Sequence, residues 1–206
     1  MKKHLSLIIA CLLIAACVLT ACGTPEENFK KATQNFDNFT VEIEVDLGGE
    51  KTYNYIGIKA GNLLKVIDTY MGTYMCDTTI SYIKQLDDEY YFYNFINKKW
   101  NSKGDSREDL ALNTGYDMFY DSEVIGVLKQ SFFDDYTTSN DEYTMKESAL
   151  DSYSNYFFGS LESFKFKLSG DHFERAVAII TLDRFNRRCQ YTCKFKDFGK
   201  SRVDIK

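Results

Sequence analysis

The sequence is poor in the residues from which most catalytic sites and cross-linked scaffolds are made. Of its 206 residues, two are histidine, one is tryptophan and one is proline. His172 is the only imidazole beyond the N-terminal apolar segment. It stands beside an expected hairpin turn, where a histidine is ordinarily solvated. No zinc-ligand spacing, glycine-rich phosphate loop or Gly-x-Ser-x-Gly elbow occurs. Cys189 and Cys193 are separated by three residues, not by the two of a redox pair. The acid pairs Asp87-Asp88 and Asp134-Asp135 fall where turns are expected, which suits solvated turn residues better than a calcium site or an acid–base pair. These absences predict a protein that is not an enzyme, with no cofactor and no metal. The single proline and moderate glycine content also exclude a long disordered linker.

What is present begins at the N-terminus. Lys2 and Lys3 precede an uncharged apolar run over 5–19, the pattern of a secretory signal. The run is short for a membrane span, which needs about 20 apolar residues. It ends Leu19-Thr20-Ala21-Cys22, which resembles the lipobox of bacterial lipoproteins. In that family the cysteine thiol takes a diacylglycerol, and the chain is cut just before the cysteine. The resemblance implies a lipoprotein signal peptide over 1–21 and a lipid-anchored domain over 22–206. It makes Cys22 the lipid attachment residue, on the extracytoplasmic face of the cell membrane. Ile14-Ala15-Ala16-Cys17 is a competing lipobox. Cutting there would leave Val18 to Ala21 as an apolar stub and shorten the apolar run to roughly nine residues, the low side of normal.

Removing Lys2 and Lys3 with the leader takes the net charge from −5 to −7. An acidic chain is a poor partner for nucleic acid. Nor is its surface expected to be drawn to anionic lipid, so the acyl chains are expected to do the anchoring. The remaining 185 residues suit one domain with a sizeable core. With Cys22 lipidated and two cysteines lost with the leader, Cys76, Cys189 and Cys193 remain. Four residues along a strand put Cys189 and Cys193 roughly 13 Å apart, too far to bridge. Three buried thiols are expected, with a bridge from Cys76 to one of the other two as the alternative.

The pattern along the chain is mostly strand. Thr24, Pro25 and Glu27 form a capping box that opens a helix carrying Phe29, Ala32 and Phe36 on one face. Val41, Ile43, Val45 and Leu47 then alternate with polar residues, as in a half-buried strand. Strands are expected over 51–59, 63–70, 78–86 and 89–96, with turns at Gly48-Gly49, Gly61-Asn62 and Asp87-Asp88. The run 89–96 is apolar on both faces and predicts a central strand covered on both sides. Residues 97–115 read as a loop. A helical stripe runs from Tyr116 to Leu128, and short strands are expected over 132–136 and 143–147. Ser148 is expected to cap a helix that Gly159 stops. Strands over 162–168, 173–183, 187–196 and 202–205 close the chain. Hairpin-linked strands imply a large antiparallel sheet of nine or ten strands. Such a sheet must curl, with about three helices on its concave side. The fold class is therefore α+β.

That order of elements resembles the half-barrel shared by the LolA lipoprotein carrier and the LppX/LprG-type lipoproteins. The likeness rests on the opening helix running through Phe36 into Val41 to Leu47. It rests also on Glu89-Tyr-Tyr-Phe-Tyr-Asn with Lys99-Trp100, and on the endings Ile179-Ile-Thr-Leu-Asp-Arg-Phe-Asn and Asp197-Phe-Gly-Lys-Ser-Arg-Val-Asp-Ile. The resemblance implies a concave apolar cavity that holds acyl chains and no catalytic residue. Aromatics make up 16% of the chain, more than one core stripe needs. Tyr53, Tyr55, Tyr91, Tyr93, Phe95, Phe164 and Phe166 are the candidate cavity lining. Two readings remain open. One is a tethered module that binds an apolar or amphiphilic ligand. The other is an envelope-protein interaction module whose concavity is filled by Phe119, Val127, Leu128, Leu150 and Phe157.

Overall fold

A computed structural model describes residues 23–48, 52–71, 76–86, 89–102, 123–139, 141–157, 159–182 and 187–205. The expected turn at Asp87-Asp88 and the expected filler Phe119 lie outside them. Helix α1 (Pro25–Gln34) opens on the capping box. The Glu27 N–H donates to Thr24 Oγ1 at 3.2 Å, and the Thr24 N–H donates to Glu27 Oε2 at 2.9 Å. Two of the backbone donors that a helix start leaves orphaned are thereby satisfied. Helix α1 lays Phe29 and Ala32 into the core.

Eleven strands follow. They are β1 (Asn38–Asp46), β2 (Thr52–Ala60), β3 (Leu63–Met71), β4 (Cys76–Leu86), β5 (Glu89–Asn94), β6 (Lys99–Ser102), β7 (Tyr136–Ser139), β8 (Glu142–Met145), β9 (Gly159–Ser169), β10 (His172–Leu182) and β11 (Arg187–Lys196). They form one antiparallel sheet in the order β6-β5-β4-β3-β2-β1-β11-β10-β9-β8-β7. The pairing of β1 with β11, Ile43 opposite Cys193 and Val45 opposite Tyr191, joins the two meanders into one surface. The sheet is open, with β6 and β7 at its ends. Twist accumulated over so many strands curls such a sheet. Helices α2 (Glu123–Gln130) and α3 (Glu147–Tyr153) join α1 in one continuous buried cluster with the sheet's inner face. The architecture is the α+β half-barrel. Among the described residues no helix is long and apolar enough to cross a membrane.

Several local expectations are corrected. The described residues hold eleven strands against about nine or ten expected, and Lys99–Ser102 pairs with β5 instead of looping. The segment expected as a strand over 132–136 is a 3-10 turn at Phe133–Asp135, with β7 starting at Tyr136. Helix α3 starts one residue before Ser148, and its N-cap, Lys146, makes no side-chain cap bond. Gly159 does not stop that helix; a 3-10 turn at Ser154–Tyr156 intervenes, and Gly159 opens β9. A Cβ on Gly159 would stand 2.2 Å from the Thr181 carbonyl oxygen, so the close approach of β9 to β10 needs glycine there. Residues 202–205 form no strand. The chain is tied at Ser201, whose N–H donates to Asn38 Oδ1 at 2.8 Å and whose carbonyl accepts from Asn38 Nδ2 at 3.1 Å.

The expectation that 89–96 forms a central, doubly covered strand also fails. β5 is second from the sheet edge, and Phe95 just beyond it is 48% exposed. Its two apolar faces have different partners. Tyr90 and Phe92 face the core, while Tyr93 packs on Tyr82 and Trp100 on the other side of the sheet.

Candidate functional site

Directly paired residues of an antiparallel sheet share a face, so the register sorts the aromatic side chains. Ile43 pairs with Tyr55 and Val45 with Tyr53, and both residues of β1 are buried in the core. Tyr53 and Tyr55 therefore look inward, toward the helices. Their rings stack with centroids 6.4 Å apart and planes 10° from parallel. The inner face continues through Leu64 and Val66 of β3, Ile83 of β4, and Phe92 and Tyr90 of β5.

The register divides the seven expected lining residues into three sets. Tyr53 and Tyr55 sit on the inner face, only partly buried. Phe164 and Phe166 also face inward, at 0% and 2% exposure. They are sealed by their neighbours rather than facing a gap. Phe166 stacks on Tyr143 at 4.6 Å and on Phe29 at 5.6 Å, and meets Phe173 edge-on at 5.3 Å. Tyr91, Tyr93 and Phe95 do not line the concave face. Ile83 pairs with Phe92 and Lys84 with Tyr91, which turns the odd-numbered residues of β5 outward. Tyr90 and Phe92 occupy the inward places instead. The alternation along 89–96 contained both sets, and only the pairing with β4 separates them.

Helix α2 occupies the concavity. Glu123 through Leu128 are all buried, and the helix emerges only at Lys129 and Gln130. Val127 and Leu128 are fully buried, Phe157 is nearly so and Leu150 partly so, which makes these four part of the filling. Glu123 opens α2 with a left-handed backbone (φ 52°) and is 8% exposed. Its Oε1 accepts from the Tyr191 hydroxyl at 3.3 Å. Burial, and then the Glu123 charge, push the Tyr191 hydroxyl well above the ordinary phenol range. Tyr55 is raised by burial first, then by Asp68 and Glu123. Burial, Glu123 and Asp46 push the Cys189 thiol up to about 12, and Cys193 is raised by burial and Glu123. Cys189 and Cys193 are free, buried thiols. All four groups stay protonated at neutral pH. They offer hydrogen-bond donors and apolar surface, not a nucleophile.

The inner face thus has two sorts of surface. Around β9, β10 and β11 it is closed ring on ring. Around β2 to β5 it presents Tyr53, Tyr55, Tyr90 and Phe92 only partly covered, with the buried Glu123 carboxylate and the Tyr191 hydroxyl at the seam. A depression of about 330 Å³ across β11, β1 and β2 belongs to the other side of the sheet, where Glu42, Glu44, Asn54, Ile56, Thr192 and Lys194 line it. Among the described residues no group of three or more His, Cys, Asp or Glu is placed to hold a metal ion.

The fold and its inner face define a helix-filled half-barrel with an aromatic arm. No protein-family model and no curated protein matches the chain. Among solved structures, the crystal structure of LprF from Mycobacterium bovis is similar, with a TM-score of 0.41 and 10% identity over 88% of this chain and 95% of that one.

Proposed function

We propose that the protein is an extracytoplasmic lipoprotein, tethered to the membrane through Cys22, that binds an apolar or amphiphilic ligand against the inner face of β2 to β5. One observation carries the ligand reading. Tyr53, Tyr55, Tyr90 and Phe92 face the helices yet remain only partly buried, while the inward rings of β9 and β10 are sealed. Aromatic side chains with a polar tip suit a ligand that has an apolar body and a hydrogen-bonding end. The protonated Tyr55 and Tyr191 hydroxyls and the Glu123 carboxylate supply that end. The alternative, a non-enzymatic module that docks an envelope protein, is favoured by the burial of Glu123 through Leu128 of α2 within the concavity.

Native mass spectrometry and organic extraction of the purified protein, followed by titration with a fluorescent fatty-acid probe, test the ligand reading. Co-purifying lipid or saturable probe binding, weakened by Tyr55→Ala with Phe92→Ala, supports it. Absence of both leaves the docking module as the reading. The tether is tested separately: Cys22→Ala should abolish incorporation of labelled palmitate in cells, and persistent labelling would move the anchor to Cys17.

A further inference from the structure

The outer face of the same arm carries an apolar surface that the ligand site does not use. Ile56, Ile67 and Ile80 stand opposite one another across β2, β3 and β4. Beside them Tyr82, Tyr93, Phe95 and Trp100 form a ring cluster with centroid distances of 5.4 to 6.3 Å. Lys65 Nζ lies 5.5 Å over the Tyr82 ring. The cluster ends at the turn between β5 and β6, where Ile96 is 95% exposed. That turn is held stiffly. Asn94 Oδ1 accepts from the N–H groups of Ile96 at 2.9 Å and Asn97 at 3.2 Å, and Asn97 Oδ1 accepts from the Lys99 N–H at 3.1 Å. Lys98 and Lys99 follow directly, both exposed.

We infer that this face and its turn seat on a bilayer containing anionic lipid. In this reading Ile96 inserts among the acyl chains, Trp100, Tyr93 and Phe95 lie at the headgroup level, and Lys98 and Lys99 meet lipid phosphates. Three features favour a bilayer over a protein groove. An almost fully exposed aliphatic tip on a rigid turn has little surface to offer a shaped pocket but fits a fluid one. Tryptophan, tyrosine and lysine around an apolar centre are the composition of interfacial anchors. The local charge opposes the chain's overall −5. Among the described outward side chains of β2 to β5, the charged ones are Lys65 and Lys84. The part of this face away from Glu42 and Glu44 of β1 is therefore cationic and aromatic, the complement of an anionic leaflet. A large exposed apolar patch of this kind marks an interaction surface.

Trp100 is the chain's only tryptophan, so its fluorescence reports on this face alone. The full chain is mixed with vesicles of equimolar phosphatidylglycerol and phosphatidylcholine, or of phosphatidylcholine only, each with and without brominated acyl chains. The expected result is a blue shift and bromine quenching of Trp100 in the anionic vesicles, largely lost in Ile96→Ser and in Lys98→Glu with Lys99→Glu. These side chains are exposed, and unchanged circular dichroism spectra confirm that the variants fold. Vesicle association without bromine quenching overturns the inference and leaves this face to a protein partner. Quenching unaffected by either variant also overturns it. A failure here does not touch the inner face, whose probe binding is measured without vesicles.

Discussion

The two arms of the sheet use aromatic residues for opposite ends. On the side of β7 to β11 the rings meet each other: Phe29, Phe36, Phe166 and Phe173 pack within 5.3 to 5.6 Å of a neighbouring ring. On the side of β2 to β6 the rings divide between two faces, and apart from the buried Tyr82 both sets stay partly exposed. The difference follows from what covers the arm. Helix α1 and the 3-10 turn at Phe133–Asp135 lie over β9 and β10, with Phe29 against Phe133, Phe166 and Phe173. Sealed rings stabilise the fold, while half-covered rings leave apolar area that a ligand can still remove from water.

The largest expected effect breaks this comparison at its strongest point. Phe166→Ala should cost about 3–5 kcal/mol, because a fully packed ring leaves a cavity. Tyr55→Ala should cost only about 1–2 kcal/mol, since less of that ring leaves water on folding. Denaturant melts of the two variants measure both, and equal losses would abolish the distinction between the arms. Gly159→Ala should follow, at about 1–3 kcal/mol, because the new methyl group must push β9 away from the Thr181 carbonyl. That loss should appear in thermal melts and leave probe binding on the other arm unchanged.

A smaller effect appears at alkaline pH. Cys189 has an ordinary value near 9.0 and is pushed up to about 12 in the fold. The native state thus favours the neutral thiol. That contribution is fully present below the unfolded value and is lost as pH rises toward the folded one. Melting temperature should fall between about pH 9 and about pH 12, and fall less steeply in Cys189→Ala. Parallel slopes would show that the thiol is not held neutral by burial. Thr24→Ala should have the smallest effect, about 1 kcal/mol from the lost cap. Its loss should come from the α1 side alone, with no change in Tyr55 environment by fluorine-labelled tyrosine resonance.

What was legible in the sequence was whatever is decided locally. The capping box at Thr24 and Glu27 is a contact between residues three apart, and it forms as read. The alternation of Val41, Ile43 and Val45 follows from strand geometry, and those residues are buried as expected. The large curled antiparallel sheet followed from hairpin spacing. The illegible part depends on register. In residues 89–96 both faces are aromatic, so alternation does not say which set looks inward. The pairing of Ile83 with Phe92 decides it and moves Tyr91, Tyr93 and Phe95 out of the concavity. Nor does ring density distinguish a sealed ring from a lining one. Phe166 and Tyr55 read alike in the sequence, and only the helix laid across Phe166 separates them.

The central claim is that the half-covered inner face of β2 to β5 takes the ligand. A fatty acid carrying a photoreactive diazirine on its chain, cross-linked to the purified protein and mapped by mass spectrometry, tests this most directly. The account predicts adducts on Tyr53, Tyr55, Tyr90 or Phe92, suppressed by unlabelled fatty acid. Adducts confined to β9 and β10, or to the outer cluster around Trp100, or an absence of competable adducts, would contradict it.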